Sequence, residues 1–356
     1  MGYILGTCID ISLDTELPLL LNKHSHIFLT SATFDKFGKL VLPLAFYDPG
    51  SIIDKYISGM CSKLFEFKKK NRGVKLLLTV LASDNLMVFN KIICDDVYMD
   101  TLVESICDAV RNYGLDGVDI KWQHPVSGVK PEKFAVFIKT LKFRFTQIQM
   151  LHGYPVLTIC ITINPRITSL EYYNLDLYDE YIDLFHLKGY DIGENWMKYV
   201  SHYNVSYHDL RESVKCLSRI GTRMEKILIG IPFYGHMFQG TMGLHQTYKS
   251  SKIIPYKDIS ASDSTYKYNQ EYGVSCLEKE NIYISFEDET SIYNKIVYMK
   301  TEGLGGIVSS GTDDTLTNYI YSLVPKEESN NNIVYITSAF TNITILGEPM
   351  VNEAML

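Results

Sequence analysis

Eight short apolar runs rich in β-branched residues recur along the chain, at 3–9, 26–33, 74–82, 115–122, 155–163, 182–190, 226–233 and 304–309. Longer segments of helical period separate them. Such alternation specifies βα units, which assemble a parallel sheet with its crossovers on the outside. Eight strands, each followed by a crossover, suit a closed barrel better than an open sheet. The expected fold is α/β, a (β/α)8 TIM barrel. A chain of 356 residues exceeds the usual single-domain length, yet barrels reach this size as one unit.

The helical segments carry their own punctuation. Residues 95–113 place Val97, Leu102, Ile106 and Val110 on one stripe, and Gly114 stops it. Pro131 opens the next helix, ahead of Phe134, Val136, Phe137 and Leu141. Ser206 is placed to cap the helix of Leu210, Val214 and Leu217, with Asp209 three residues on and Gly221 at its end. Residues 289–301 align Ile292, Ile296, Val297 and Met299, and Gly303 closes that segment. Two stretches break the rhythm. Residues 239–284, rich in Tyr, Ser and Lys, read as an inserted subdomain or long loop between the seventh and eighth strands. Residues 326–356 read as an extension, polar at first and able to form one or two exposed strands over 333–346. The expected organisation is a barrel over 1–325 with an α+β insertion at about 239–284, then this extension.

A net charge of −7 gives no electrostatic reason to expect nucleic acid or an anionic membrane as partner. No apolar run approaches the ~18 residues of a membrane span. The first residues lack the positive flank of a signal peptide and read as a strand. Seven cysteines, at 8, 61, 94, 107, 160, 216 and 276, are scattered without zinc-site spacing. Cys107, Cys160 and Cys216 fall on apolar faces, where a buried thiol is expected. His24 and His26, and His202 and His208, have no partners at ligand spacing, so no metal or other cofactor is expected. Asn204-Val205-Ser206 and Asn342-Ile343-Thr344 fit glycosylation acceptors, which leaves the compartment open.

The chemistry concentrates in Tyr113-Gly114-Leu115-Asp116-Gly117-Val118-Asp119-Ile120-Lys121-Trp122-Gln123-His124-Pro125. Strand alternation puts Asp119, Lys121 and Gln123 on one face, with Ile120 and Trp122 on the other. At the C-terminal end of a barrel strand, such polar groups stand at the mouth, where barrel enzymes hold their sites. Asp116 and Asp119, a lysine and an amide are expected to converge there.

This segment resembles the fourth-strand signature of glycoside hydrolase family 18, Asp-x-x-Asp-x-Asp-x-Glu followed by an aromatic and Pro. Asp116, Gly117, Asp119, Trp122 and Pro125 match. Lys121 replaces the third acid and Gln123 the catalytic glutamate. Other segments resemble the family in the same order. Lys188, Gly189, Tyr190 and Asp191 stand at its Met-x-Tyr-Asp, residues 226–235 at its seventh strand, 254–259 and 284–292 in and after its inserted α+β module, and Gly303-Leu304-Gly305-Gly306 at its eighth strand.

The resemblance implies cleavage of β-1,4 bonds between N-acetylglucosamine units, with the substrate's acetamide as nucleophile. In that chemistry the glutamate protonates the leaving oxygen and the acid two residues earlier supports the acetamide. A glutamine amide cannot act as a general acid near neutral pH, and general acid–base help is worth ~10²–10⁴-fold. Losing the neighbouring acid removes electrostatic support as well. The family's tryptophan at the end of the eighth strand is replaced within Gly306-Ile307-Val308-Ser309-Ser310, and its Gly-Gly-Trp after the third strand by Val80-Leu81-Ala82-Ser83-Asp84. Of the two remaining tryptophans, Trp122 is expected to face away from the sugar site and Trp196 to border a cleft. Flat aromatic faces hold sugar polymers, so a long chitin groove is expected to be eroded.

Lys121 is expected to pair with Asp119 or Asp116, which would offset buried charge. The other reading makes Lys121 and Lys188 an anion-accepting pocket for a carboxylated or sulfated ligand. His124 reads as a solvated loop residue, and Ser309, Ser310 and Gly311 do not form a nucleophile elbow. The ligand-binding set is Asp119, Lys121, Gln123, Lys188, Tyr190, Asp191 and Trp196, around a degenerate catalytic site at Asp116, Asp119, Lys121 and Gln123. The expected function is a catalytically inactive chitinase-like protein, lectin-like or signalling, whose partner is a chitin-derived or anionic oligosaccharide or a protein. Two alternatives stand beside it. One is a weak hydrolase with a displaced acid, Asp84 or Asp191; the other is an interaction scaffold with a vestigial cleft. Family members are usually exported, although no leader is visible here.

Overall fold

The computed structural model describes residues 2–10, 20–42, 58–82, 86–122, 131–165, 170, 173–191, 200–203, 207–241, 243–260 and 266–324. Its strands are β1 (Ile4–Asp10), β2 (His26–Phe34), β3 (Leu40–Val41), β4 (Lys75–Leu81), β5 (Gly117–Lys121), β6 (Thr158–Ile163) and β7 (Leu184–Leu187). They continue with β8 (Ile227–Pro232), β9 (Tyr234–Gln239), β10 (Ser250–Pro255), β11 (Lys267–Asn269), β12 (Val274–Lys279), β13 (Ile282–Phe286) and β14 (Gly306–Ser310). The α-helices are α1 (Ser58–Lys70), α2 (Leu86–Cys94), α3 (Asp96–Asn112), α4 (Pro131–His152), α5 (Tyr207–Arg219), α6 (Tyr256–Ser260), α7 (Glu289–Thr301) and α8 (Asp314–Leu323).

Eight parallel strands close on themselves in the order β1-β14-β8-β7-β6-β5-β4-β2, with β2 pairing back to β1. This is the (β/α)8 barrel, and each of the eight apolar runs supplies one of its strands. Phe28, Leu77, Cys160, Leu184, Leu228 and Val308 form one inward-facing apolar cluster, with Ile4 and Cys8 packed on it. They fill the barrel as a plug, so any cleft must lie above them at the C-terminal ends of the strands. The opposite faces of the same strands pack on the helices in the larger core, which includes Leu78, Ile120, Trp122, Ile159, Ile229 and Ile307.

The helix signals hold with local adjustment. Asp95 caps α3 by accepting from the backbone N–H groups of Val97 and Tyr98. Pro131 is the first residue of α4, and Asp288 with Ser291 forms a capping box on α7. Val97, Val136 and Val297, expected on the buried stripes, are exposed instead. Each lies two residues from a buried anchor (Met99, Phe134, Met299), about 200° around the helix and so on its opposite face. Ser206 and the extension beyond residue 324 lie outside the described residues.

Between β8 and β14 the chain builds a second, antiparallel sheet, ordered β10-β9-β13-β12-β11. It runs from Tyr234 to Phe286, wider at both ends than 239–284. The sheet follows β8 after a single residue, Phe233, so its first strand begins at the barrel mouth. Cys107 and Cys160 are buried thiols outside any disulfide, and Cys216 is buried as well. Among the described residues no helix is long and apolar enough to cross a membrane, and no group of three His, Cys, Asp or Glu side chains is arranged for a metal.

Candidate functional site

Strand β5 sits between β4 and β6, in register so that Asp119 lies beside Thr79 and Cys160, and Lys121 beside Leu81 and Thr162. Gly117 starts the strand at φ 151°, and a Cβ there would fall on the carbonyl oxygen of Thr158, so only glycine lets β5 and β6 approach. Asp119 is 2% exposed. Thr162 Oγ1 donates to its carboxylate at 2.9 Å and Thr79 Oγ1 at 3.2 Å. Burial nevertheless pushes the carboxyl up from 3.8 to about 6, against the lowering effect of the Thr162, Cys160 and Thr79 hydrogen bonds and the Lys121 charge.

Asp116 is not part of this group. Its carboxylate takes the Lys68 ammonium at 2.5 Å and the Leu76 backbone N–H at 2.7 Å. It stands three positions before Asp119, so the two face opposite ways, and Asp116 precedes the strand, at the N-terminal end of the barrel. The expected pairing of Lys121 with Asp116 or Asp119 is likewise corrected. Lys68 holds Asp116, and Asp119 is satisfied by hydroxyls; Lys121 acts on Asp119 only through space.

On β7 the inward positions are Leu184 and His186, with Lys188 following the strand. Thr162 Oγ1 donates to Asp119 and stands 3.2 Å from His186 Nδ1. His186 Nε2 is buried and has no hydrogen-bond partner among the described residues. Burial and the charges of Lys121 and Lys188 hold this imidazole neutral, down at about 3. Gly230 of β8 faces it; a Cβ there would come within 2.8 Å of the Tyr190 ring and 3.0 Å of His186 Nε2.

Asp191, at φ 54°, turns back into a network that the second sheet completes. Its carboxylate accepts from the Tyr234 hydroxyl at 2.7 Å, lies 3.1 Å from His236 Nε2, and pairs with the Lys188 ammonium at 3.2 Å. Burial works to raise this carboxyl, but the His236 bond, the Lys188 charge and the Tyr234 bond outweigh it and hold it well below the usual range. Tyr190 lies under the Lys188 ammonium, 5.1 Å from its ring centre, and its hydroxyl shares hydrogen bonds with Ser310 and Cys8.

The structure thus brings Asp119, Lys121, Lys188, Tyr190 and Asp191 together at one mouth. It adds Thr79, Thr162, His186, Tyr234, His236, Ser310 and Cys8, which local sequence did not single out. Their only signals were inward parity on neighbouring strands and the Phe233-Tyr234-Gly235 stretch; the register that levels them with Asp119 is a tertiary fact. Trp122 is fully buried outside the barrel wall, stacked 3.9 Å from Phe134. Gln123, His124, Asp84 and Trp196 lie outside the described residues. Chemically, the mouth offers ammonium and hydroxyl donors, one enclosed carboxyl and one fully engaged carboxylate. An ionised Asp191 has no proton to give a leaving group at neutral pH. Asp119 holds a proton part of the time, but its oxygens face Thr79 and Thr162 inside the wall.

The sequence profile of Glycosyl hydrolases family 18 matches residues 9–309. Chitinase 1 of Aphanocladium album is 23% identical over 317 residues, which cover 80% of this chain and 74% of the relative. Among solved structures, the chitinase-like agglutinin of Robinia pseudoacacia superposes with a TM-score of 0.76 at 18% identity, covering 88% of this chain and 97% of the agglutinin. A glutamate-to-glutamine mutant of the class V chitinase from Nicotiana tobaccum, in complex with NAG4, gives 0.73 at 18% identity, covering 86% of this chain and 93% of that one. At that identity the structural likeness is one of fold. The profile match, spanning most of a closed barrel with the β5 run at its mouth, makes this protein a member of glycosyl hydrolases family 18.

Proposed function

We propose that the protein binds oligosaccharides of the chitin type at its barrel mouth and does not hydrolyse them. What carries the reading is the sequence run from Asp116, in which Lys121 and Gln123 take the places of two acids of the family signature that the run resembles. An amide can hydrogen-bond a sugar but cannot hand over a proton. The network around Asp191 supports the same reading, because it keeps that carboxylate ionised and removes it as a substitute acid. Relatives fit both halves: the similar enzyme is named a chitinase, the similar Robinia protein an agglutinin, and the Nicotiana protein bearing a glutamate-to-glutamine change is found in complex with NAG4.

The test combines calorimetric binding of N-acetylchitotetraose with turnover of fluorogenic chitobiose and chitotriose between about pH 4 and 8. The expected result is saturable binding with no fluorophore release above a protein-free control. Reducing ends released at rates comparable with working chitinases would overturn the reading.

A further inference from the structure

Lys121 reverses the hydrogen-bonding sense of its position. An acid there accepts; an ammonium only donates, through three N–H groups. The described residues form no ion pair with it, since Asp116 is taken by Lys68 and Asp191 by Lys188. Asp119, two residues away, has its oxygens occupied by Thr162 and Thr79. Lys121 is half-buried and is the last residue of β5, at the C-terminal end of the barrel.

Lys188 reinforces it. The two lysines sit on the fourth and sixth strands around the barrel, β5 and the end of β7. Both ammonium groups bear on Cys8, which is on the first strand, and on His186. Lys121 keeps the inward parity of Asp119 at the end of β5, and Lys188 keeps that of Leu184 and His186 just beyond β7, both at the C-terminal end of the barrel. Among the described mouth residues His186 is uncharged, Tyr190 is a phenol and the Asp191 charge is matched by Lys188, while Asp10, on the inward parity of Cys8, ends β1 as an exposed acid. Ser310, paired in register with Cys8 and Pro232, ends β14 with a small polar side chain and leaves room beneath a sugar ring.

We infer that the mouth selects an acidic oligosaccharide, whose carboxylate or sulfate group sits on the Lys121 ammonium with Lys188 alongside. The inference rests on the proposed sugar-binding role and names the ligand class for the same site. A neutral N-acetylglucosamine oligomer would present to Lys121 only an amide carbonyl or a hydroxyl, whereas an anion matches both its donors and its charge. Because Lys121 is partly exposed, the preference is salt-sensitive.

Three probes test it by calorimetry in low and in moderate salt: N-acetylchitotetraose, its 6-O-sulfated counterpart, and a tetrasaccharide alternating N-acetylglucosamine with glucuronic acid. At least one acidic probe is expected to bind roughly 10- to 100-fold tighter than the neutral one, the range for a hydrogen bond to a charged group. Which acidic probe does so separates sulfate from carboxylate. Lys121→Gln should abolish the preference, so that the acidic probes bind that variant no tighter than the neutral one, and Lys121→Arg, which keeps the charge, should retain it. Neutral binding as tight as both acidic probes, or a preference that survives Lys121→Gln, overturns the inference and leaves the sugar-binding role standing. Failure of all three probes to bind overturns both.

Discussion

Asp119 and Asp191 stand at the same mouth, and their surroundings drive them apart. Around Asp191 the His236 bond, the Lys188 cation and the Tyr234 hydroxyl outweigh burial, whereas around Asp119 burial outweighs the hydroxyls. The consequence for stability follows from linkage. An unfolded Asp119 releases its proton near 3.8 and the folded one near 6. Between those values the folded state binds more protons, so stability from this residue is greatest below about pH 4 and is lost as pH rises through 6. About two pH units correspond to roughly 3 kcal/mol. Urea titrations should therefore show Asp119→Asn gaining on the natural protein by about that much between pH 4 and 7; a difference independent of pH would mean that burial does not govern this carboxyl. At this scale the sequence was informative where strand alternation alone decides a side chain's face. Asp119 and Lys121 could be assigned to one face, whereas Asp116 was grouped with them although three residues cannot share a side. Thr79, Thr162 and His186 escaped because inter-strand register is set by packing distant from each residue.

A buried ion pair fixes the second sheet to the barrel. Glu287 follows β13, Lys295 lies on α7, and their side chains, 0% and 1% exposed, meet at 2.6 Å. Ser291 donates to the same carboxylate at 2.6 Å, and the Lys295 ammonium also reaches the carbonyl of Gly273, before β12. This arrangement ties α7 to the sheet that presents Tyr234 and His236. Lys295→Met would strand the Glu287 carboxylate in the core, at a cost of about 3–5 kcal/mol. Burial already raises the Glu287 carboxyl, so without its cation it should take up a proton more readily, and the penalty should shrink as pH falls. Adding Glu287→Gln to Lys295→Met should recover most of the loss. Denaturation midpoints of the single and double variants check this; equal losses in both would show that the lysine acts by packing alone. The helices were readable because caps and glycine stops are local signals. The insertion was read as an α+β subdomain without its individual strands, since strands as short as Lys267–Asn269 carry too few residues to show a period.

For the molecule as a whole, the proposed reading is of a family 18 barrel without the groups that would drive the reaction. The plug, the closed sheet, Asp119 within its hydroxyl cage and the Tyr190–Asp191–Tyr234 network are all in place. Absent from the sequence are the two acids at 121 and 123 and the aromatic floor near Ser310. Restoring the acids together, as Lys121→Asp with Gln123→Glu, returns a proton donor and an electrostatic support to the sequence run that resembles the family signature. Gln123→Glu alone should do less, because Lys121 would hold the new carboxyl ionised and unable to donate. The double variant should release fluorophore from chitotriose at least ~10²-fold faster than the natural chain, the lower bound for general acid catalysis. It should remain well below working chitinases, since no ring faces the sugar from the end of β14. A double variant that binds N-acetylchitotetraose yet releases nothing would place the defect in substrate orientation. In that case the serines at the end of β14, more than the lysine and the amide, would be what separates this barrel from an enzyme.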